Sequence, residues 1–201
     1  MTMSAPPLKA LLRQTRAGLR VLLVLTVLLG VCYPLGVWAV SRLPGLRHSA
    51  EGSLIVHEGR PAGSALIGVD PVFTGPPTAD PWFHTRPSVG GPAASGGSNQ
   101  SAFNPELVAA VRERKELVAA REGVAPGAVP ADAVTASASG VDPAISPAYA
   151  ELQVPRVARN TGLPEQRVRE LVARHTGGAG IGQPVVTVLP LNLAVAGAVG
   201  R

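Results

Sequence analysis

An uninterrupted apolar stretch dominates the hydropathy pattern in the first quarter of the chain. No charged residue occurs between Arg20 and Arg42, and residues 21–29 read VLLVLTVLL. At 1.5 Å of rise per residue, a helix over 21–41 is about 31 Å long, the hydrocarbon thickness of a membrane. Membrane helices tolerate a proline such as Pro34. The pattern predicts a basic N-terminal segment, a transmembrane helix and a folded domain, over residues 1–20, 21–41 and 42–201.

Shorter patterns follow the apolar stretch. Residues 53–57 and 63–67 read as two strands around a turn at Glu58, Gly59 and Arg60. A helix then starts with Asn104 as its N-cap and Pro105 as its first residue, and Gly123 supplies its left-handed end.

The C-terminal third alternates between helical and strand patterns. We expect a helix from Ser146-Pro147 that Pro155 breaks into two pieces, and an amphipathic helix over 164–175. Residues 184–189 predict a buried strand and residues 191–199 a short apolar helix. Together these elements predict one folded domain of the α+β class, with helices and strands mixed in a single unit. We expect its last strand to pair with the first hairpin.

The net charge of +5 is not spread evenly along the chain but comes from its N-terminal quarter. Four basic residues and no acid precede the apolar stretch, Arg42 and Arg47 follow it, and residues 50–201 contain 12 basic and 13 acidic residues. Basic residues concentrate on the cytoplasmic side of membrane helices. The charge therefore predicts a cytoplasmic N-terminus and an extracytoplasmic domain. It does not indicate a nucleic-acid surface, for which the aromatic content of 3% is also low.

Two other interpretations of the apolar stretch compete with a membrane span. A cleaved signal peptide has the same charge order and stays open, although the residues near Ala39 give no clean A-x-A cleavage site. A lipoprotein anchor is excluded because Val31, which is not small, precedes Cys32. The single cysteine also excludes an intramolecular disulfide.

Catalytic motifs are weak throughout the sequence. The four histidines are scattered without HExxH or CxxC spacing, so no metal site is predicted, and no P-loop is present. A membrane-anchored hydrolase that combines a serine with His84 and Asp80 or Asp142 stays as an alternative. A binding module is a second alternative, because small residues at 94–99 and 135–140 allow close backbone approach and anion-binding nests.

The order of several short motifs carries more information than any one of them. The most specific block is VTASASGVDP at 134–143, followed by ISP at 145–147 and QVPRVA at 153–158. Other blocks are YPL at 33–35, GSALIG at 63–68, WFHTRPS at 82–88, ASGGSN at 94–99 and VLPLNLA at 188–194. In this order they resemble the C subunits of the bacterial Kdp potassium-transporting ATPase, over nearly the whole chain.

The resemblance implies a non-catalytic accessory subunit of a potassium uptake complex in the cell membrane. Its implied partners are a channel-like potassium-binding subunit and a catalytic P-type ATPase subunit, whose ATP affinity the family is described as raising. No tightly bound cofactor is implied, and any role of ATP is exerted through the complex. Gln153 matches the family glutamine proposed for the ATP effect.

Candidate residues follow from the matched blocks. The nucleotide-affinity candidates are Gln153, Arg156, Ser137, Ser139 and Gly140. The candidates for subunit interfaces are Ser95, Gly96, Gly97, Ser98, Asn99, Tyr33 and Pro34. Direct contact with ATP conflicts with the predicted topology, because the domain would be outside while ATP is inside. We therefore keep two expectations. Either the chain packs beside the channel-like subunit with its domain outside, or the domain lies inside and binds ATP phosphates near 135–140.

Overall fold

A computed structural model of the chain describes residues 8–90, 95–178 and 182–200. Ala94, the first residue of one matched block, lies outside these ranges. The backbone forms two compact units that divide after Glu51. The first unit contains the apolar helix, and the second contains both sheets and the remaining long helices.

The first unit is built on one long helix, Leu8–Ser41, with the length and apolar composition needed to cross a membrane. It consists of α1 (Leu8–Val27), a π-helical turn (Leu28–Cys32) and α2 (Tyr33–Ser41). In a regular α-helix the ring of Pro34 would clash with the carbonyl of Gly30, and a π turn widens the backbone at that position. The short helix α3 (Arg47–Ala50) follows.

The described residues of the second unit form two small antiparallel sheets. Strands β1 (Leu54–His57) and β2 (Arg60–Ser64) form a hairpin, with a register shift between Ile55 and Val56. Its turn uses positive φ at Glu58 (50°) and Gly59 (77°), which matches the twist of the two strands. The other sheet has the order β3–β5–β4 and contains β3 (Ala144–Ile145), β4 (Thr176–Gly177) and β5 (Val185–Thr187).

The α+β fold class is confirmed, but the predicted pairing of the last strand is wrong. Strand β5 pairs with β3 and β4, not with the hairpin. Burial explains the choice, since Val186 of β5 and its partner Ile145 of β3 are both almost completely buried. Leu54 and Val56 of the hairpin stay exposed, so pairing there would bury less apolar surface.

The described part of the second unit also contains four longer helices: α4 (Pro105–Glu122), α5 (Pro147–Thr161), α6 (Glu165–Arg174) and α7 (Val188–Val199). Helices α5, α6 and α7 contact the larger sheet, and α4 packs against α5. The predicted ends of α4 are confirmed. The Asn104 side chain accepts a hydrogen bond from the Glu106 amide at 2.8 Å, and Gly123 has φ of 72°. The core beneath the sheet combines buried side chains of α5, α6 and α7, among them Val157, Val168 and Leu191.

The predicted break at Pro155 is wrong, because α5 continues through it as one helix. The missing N–H of Pro155 would have bonded to the carbonyl of Glu151, and both residues are exposed, so water can satisfy that carbonyl. Val154 and Val157 beside the proline are fully buried. Their packing holds the helix in place across the lost hydrogen bond.

Candidate functional site

An extended segment from Asp80 to Ser88, here called the clamped segment, crosses the second unit without belonging to a helix or strand. Two side-chain amides bind its backbone as a neighbouring strand would. The Oε1 atom of Gln153 accepts the His84 amide at 2.8 Å and its Nε2 donates to the His84 carbonyl at 3.3 Å. Asn192 forms the same pair with Phe83, at 2.8 and 2.9 Å. Helices α5 and α7 therefore fix two consecutive residues of the segment.

Arg156 is fully buried and joins α4, α5 and the clamped segment. Its Nε donates to Glu122 Oε2 at 2.9 Å and its Nη2 to Gln153 Oε1 at 3.1 Å. The third bond runs from Nη1 to the backbone carbonyl of Asp80. A buried cation without such partners would be strongly destabilising, so the guanidinium orders all three elements around it.

His84 lies between two carboxylates. Its Nδ1 is 3.1 Å from Asp70 Oδ2 and its Nε2 is 3.1 Å from Asp80 Oδ2. Both ring nitrogens thus contact carboxylates, and among the described residues neither forms a hydrogen bond with a serine hydroxyl. Asp142 pairs instead with Arg86 at 3.1 Å. The geometry therefore shows no serine–histidine pair of the kind that the hydrolase alternative requires.

Asp70 also anchors the clamped segment. Its Oδ1 accepts the Thr85 amide at 2.7 Å and the Thr85 hydroxyl at 3.1 Å. Burial by itself raises the pKa of the Asp70 carboxyl. The hydrogen bond and positive charge of His84, together with the two Thr85 bonds, outweigh burial and hold this pKa below its ordinary value. Asp70 is therefore stabilised as a carboxylate.

The end of α4 adds a second arginine to the buried network. Arg121 donates from Nε to Glu122 Oε1 at 2.7 Å and from Nη2 to the Tyr149 hydroxyl at 2.8 Å. Burial lowers the pKa of Arg121, but Tyr149 and Glu122 raise it more, so the net shift is upward. Burial raises the pKa of Tyr149. Glu122 is thus held between Arg121 and Arg156 as their shared counterion.

The small-residue segments contact each other within the chain. The Gly96 amide and the Ser95 hydroxyl both donate to the Ser139 carbonyl, at 2.8 and 2.7 Å. A Cβ atom added to Gly97 would lie 3.0 Å from the carbonyl oxygen of Ala138. Close approach therefore explains why residues without bulk occur here.

Several backbone amides in and beside the segment 135–140, where an anion-binding nest was expected, have internal acceptors. The Ser137 amide donates to the Pro87 carbonyl at 3.0 Å, and the Gly140 amide to the Ser137 carbonyl at 3.2 Å and hydroxyl at 3.1 Å. The Val141 amide donates to the Ser139 hydroxyl at 3.2 Å. A phosphate bound at these amides would have to displace these bonds.

The predicted site residues fall in separate places. Among the nucleotide-affinity candidates, Gln153 and Arg156 bond to each other in the core, while Ser137 and Gly140 are buried in a loop where Ser139 is exposed. The interface candidates divide between the exposed or half-buried loop 95–99 and the long helix. On that helix Tyr33 and Pro34 are both exposed.

Sequence reasoning missed three residues that complete the network: Glu122, Asp70 and Asn192. Asn192 had a detectable signal, because it is the only polar side chain in the apolar run over 188–199. Glu122 follows Val118 and Ala119 on the buried face of α4. Asp70 had no local signal. In residues 8–90, 95–178 and 182–200, no group of three or more His, Cys, Asp or Glu side chains is arranged to hold a metal ion.

Comparison with known proteins identifies the family. The family model KdpC, described as the c chain of the K+-transporting ATPase, matches residues 15–197. The chain belongs to the KdpC family. This membership confirms the resemblance drawn from the motifs and makes the chain a subunit of a potassium-transporting ATPase.

Individual KdpC relatives match over almost their whole length. The potassium-transporting ATPase KdpC subunit of Kineococcus radiotolerans is 50% identical over 92% of this chain and 94% of its own. The same subunit from Sorangium cellulosum is 47% identical over 94% of this chain and 100% of its own. That of Streptomyces coelicolor is 45% identical over 89% and 90%, respectively. The match therefore includes both the apolar helix and the folded unit.

Proposed function

We propose that this KdpC chain is a non-catalytic accessory subunit of an ATP-driven potassium uptake complex. It stabilises the assembly of a channel-like potassium-binding subunit with a catalytic P-type ATPase subunit, and it raises the ATP affinity of the catalytic subunit. The family match over residues 15–197 is the observation that carries this proposal. The use of both His84 ring nitrogens by carboxylates favours it over a hydrolase.

In this proposal the chain spans the cell membrane once, with a cytoplasmic N-terminus and an extracytoplasmic folded domain. The long helix supports a membrane location because apolar side chains all around it, such as Leu22, Val24 and Leu25, are exposed within the chain. Such a helix is stable in lipid or against another membrane helix. The four basic residues that precede the apolar stretch support the direction.

We propose that the helix packs against the channel-like subunit around Tyr33 and Pro34, while the folded domain covers the outer vestibule of that subunit. The exposed part of the 95–99 loop offers a docking surface of small side chains. Its conformation is supported by the hydrogen bonds of Ser95 and Gly96 to Ser139.

The effect on ATP then passes through the partner subunits. Gln153 acts as a positioning residue in this scheme, because its amide holds the clamped segment and the fully buried Arg156 holds Gln153. Direct binding of ATP phosphates near 135–140 is the competing candidate. It requires the backbone amides of this loop to give up their internal hydrogen bonds and bind a nucleotide on the cytoplasmic side.

The test compares complexes assembled with and without this chain in membrane vesicles. We expect that omission lowers the yield of intact complex and raises the KM for ATP of potassium-stimulated hydrolysis. The purified chain alone should hydrolyse no ATP. An unchanged yield together with an unchanged KM would contradict the accessory role.

Photo-crosslinking with an ATP analogue separates the two candidates for the ATP effect. Under our proposal, unlabelled ATP competes for crosslinks to the catalytic subunit and leaves any labelling of this chain unchanged. Competed labelling within 135–140 would replace our scheme with direct binding. Ser139→Ala, which removes an exposed hydroxyl from that loop, provides the matched variant for such labelling.

A further inference from the structure

A cleft of about 230 Å³ opens between α4 and the clamped segment, and it contains more positive than negative side chains. We call it the arginine cleft. Arg114 and Arg121 line it from α4, Arg86 from the clamped segment, and Asp70 is the carboxylate among its lining residues. Like charges brought together in this way repel one another unless an anion balances them.

The arginines of the cleft differ in how they are neutralised. Arg86 pairs with Asp142 at 3.1 Å, and Arg121 pairs with Glu122 at 2.7 Å. Asp70 and Asp80 already face His84. Among the ion pairs of the described residues none includes Arg114, whose hydrogen bond goes to the backbone carbonyl of Val134 at 3.3 Å.

Arg86 and Arg114 converge on adjacent backbone carbonyls. Arg114 donates to the carbonyl of Val134, and Arg86 Nη2 donates to that of Thr135 at 3.4 Å. The Arg86 Nε atom is also buried without a hydrogen-bond partner in the described part of the chain. Two guanidinium groups thus meet at one loop with donor capacity that the fold does not use.

We propose that the arginine cleft binds one carboxylate group, held in a two-pronged contact by the guanidinium of Arg114. A guanidinium presents two parallel N–H donors that match the two oxygens of a carboxylate. The volume suits a small group, and the Asp70 carboxylate on the same lining opposes anions of higher charge. A nucleoside triphosphate is therefore a poor fit for this cleft.

Two sources supply such a carboxylate: a small free acid, or an Asp, Glu or C-terminal carboxylate of a neighbouring subunit. The first arm of the test measures the free acid with the full-length chain in detergent. Thermal unfolding is followed by tryptophan fluorescence in sodium acetate, and in sodium chloride of equal ionic strength. Binding to the folded state stabilises it by RT ln(1 + c/Kd), where c is the acetate concentration, so we expect the midpoint to rise with the logarithm of c above Kd, by about 3 °C at several times Kd.

Substitutions at two arginines of α4 make the first arm specific. Arg114→Gln should abolish the acetate shift, while its amide can still donate to the Val134 carbonyl and preserve the fold. Arg114→Lys keeps the charge without the two-pronged contact and should retain only part of the shift. Arg112→Gln removes an exposed arginine of the same helix and should leave the shift intact.

The second arm measures a protein-borne carboxylate and alone rests on the proposed function. If acetate has no effect on the isolated chain, Arg114→Glu should speed its dissociation from the assembled complex about tenfold or more, and Arg112→Glu should not. The proposal is overturned if neither arm depends on Arg114, or if ATP but not acetate shifts the midpoint through Arg114. Failure of the wild-type chain to copurify any partner would instead count against the proposed function.

Discussion

At the scale of single residues, two amide side chains determine the path of a segment that no strand supports. A primary amide offers one acceptor oxygen and a donor NH₂ group, the same pair that a peptide group offers. Gln153 and Asn192 can therefore satisfy the backbone groups of His84 and Phe83, which would otherwise be buried and unpaired. Methionine is similar in shape to glutamine but has no amide, so it cannot form these hydrogen bonds.

We predict that Gln153→Met lowers the free energy of unfolding by at least about 3 kcal/mol. The variant leaves the His84 amide and carbonyl and one Arg156 donor without partners in the core, and each such group costs about 1–3 kcal/mol. Urea unfolding of the full-length chain in detergent measures the difference.

Gln166→Met is the matched control for this change, because Gln166 is exposed on α6. It should alter the free energy of unfolding by less than about 0.5 kcal/mol. Equal stability of the Gln153 and Gln166 variants would show that the amide does not hold the clamped segment.

At the scale of elements, α5 shows how tertiary packing can override a local rule. Proline in a helix interior costs about 3 kcal/mol in propensity, which predicted two shorter helices. The observed helix remains continuous because its buried face, with Val154 and Val157, packs in the core while Pro155 faces outward. Pro155 thus reduces the stability of α5, and packing of the buried face of α5 in the core keeps the helix continuous.

We predict that Pro155→Ala raises the free energy of unfolding by about 1 kcal/mol. The change restores an N–H that can bond to the Glu151 carbonyl, and it removes the clash of the ring with that carbonyl. The gain is smaller than the full propensity difference because alanine also leaves the unfolded chain freer. The measurement is urea unfolding of the full-length chain.

Pro147→Ala serves as the comparison, since Pro147 is the first residue of α5 and its missing N–H has no helical acceptor there. We expect this variant to lie within about 0.5 kcal/mol of the wild type. A loss of stability in Pro155→Ala beyond that of Pro147→Ala would mean that the proline itself stabilises the observed packing.

The same contrast explains which elements the sequence could predict. Helix α4 could be predicted from end to end because its signals are local: Asn104 caps the adjacent amide and Gly123 adopts the left-handed conformation next to the last turn. The pairing of β5 could not, since two- and three-residue strands carry little pattern and the choice depends on burial of Val186 against distant residues.

The candidate site was predictable only in part for the same reason. The family motif named Gln153 and Arg156, but it carries no information on what they contact. Arg156 bonds to Glu122, which is 34 positions away, and Gln153 to His84, which is 69 positions away. Contacts between residues so far apart leave no local trace in a single sequence. Burial of both side chains became apparent only in the fold.

At the scale of the whole molecule, the proposed topology makes the orientation of the long helix decide which compartment contains the folded domain. The basic residues Lys9, Arg13, Arg16 and Arg20 precede the apolar stretch, whereas Arg42 and Arg47 follow it. The excess of basic residues on which the proposed orientation rests is therefore small. A few substitutions far from the domain should be enough to change the domain's side of the membrane.

We predict that replacing all four N-terminal basic residues by glutamine moves the folded domain to the cytoplasmic side in a large fraction of molecules. The reporter is Ala120→Cys, at an exposed position of α4. In intact cells it should react with a membrane-impermeant thiol reagent when the natural basic residues are present, and mostly after lysis when they are removed. Arg42→Gln with Arg47→Gln strengthens the natural bias and should leave labelling from outside unchanged. Labelling from outside that persists after loss of all four residues would show that the folded domain, not the flanking charge, determines topology.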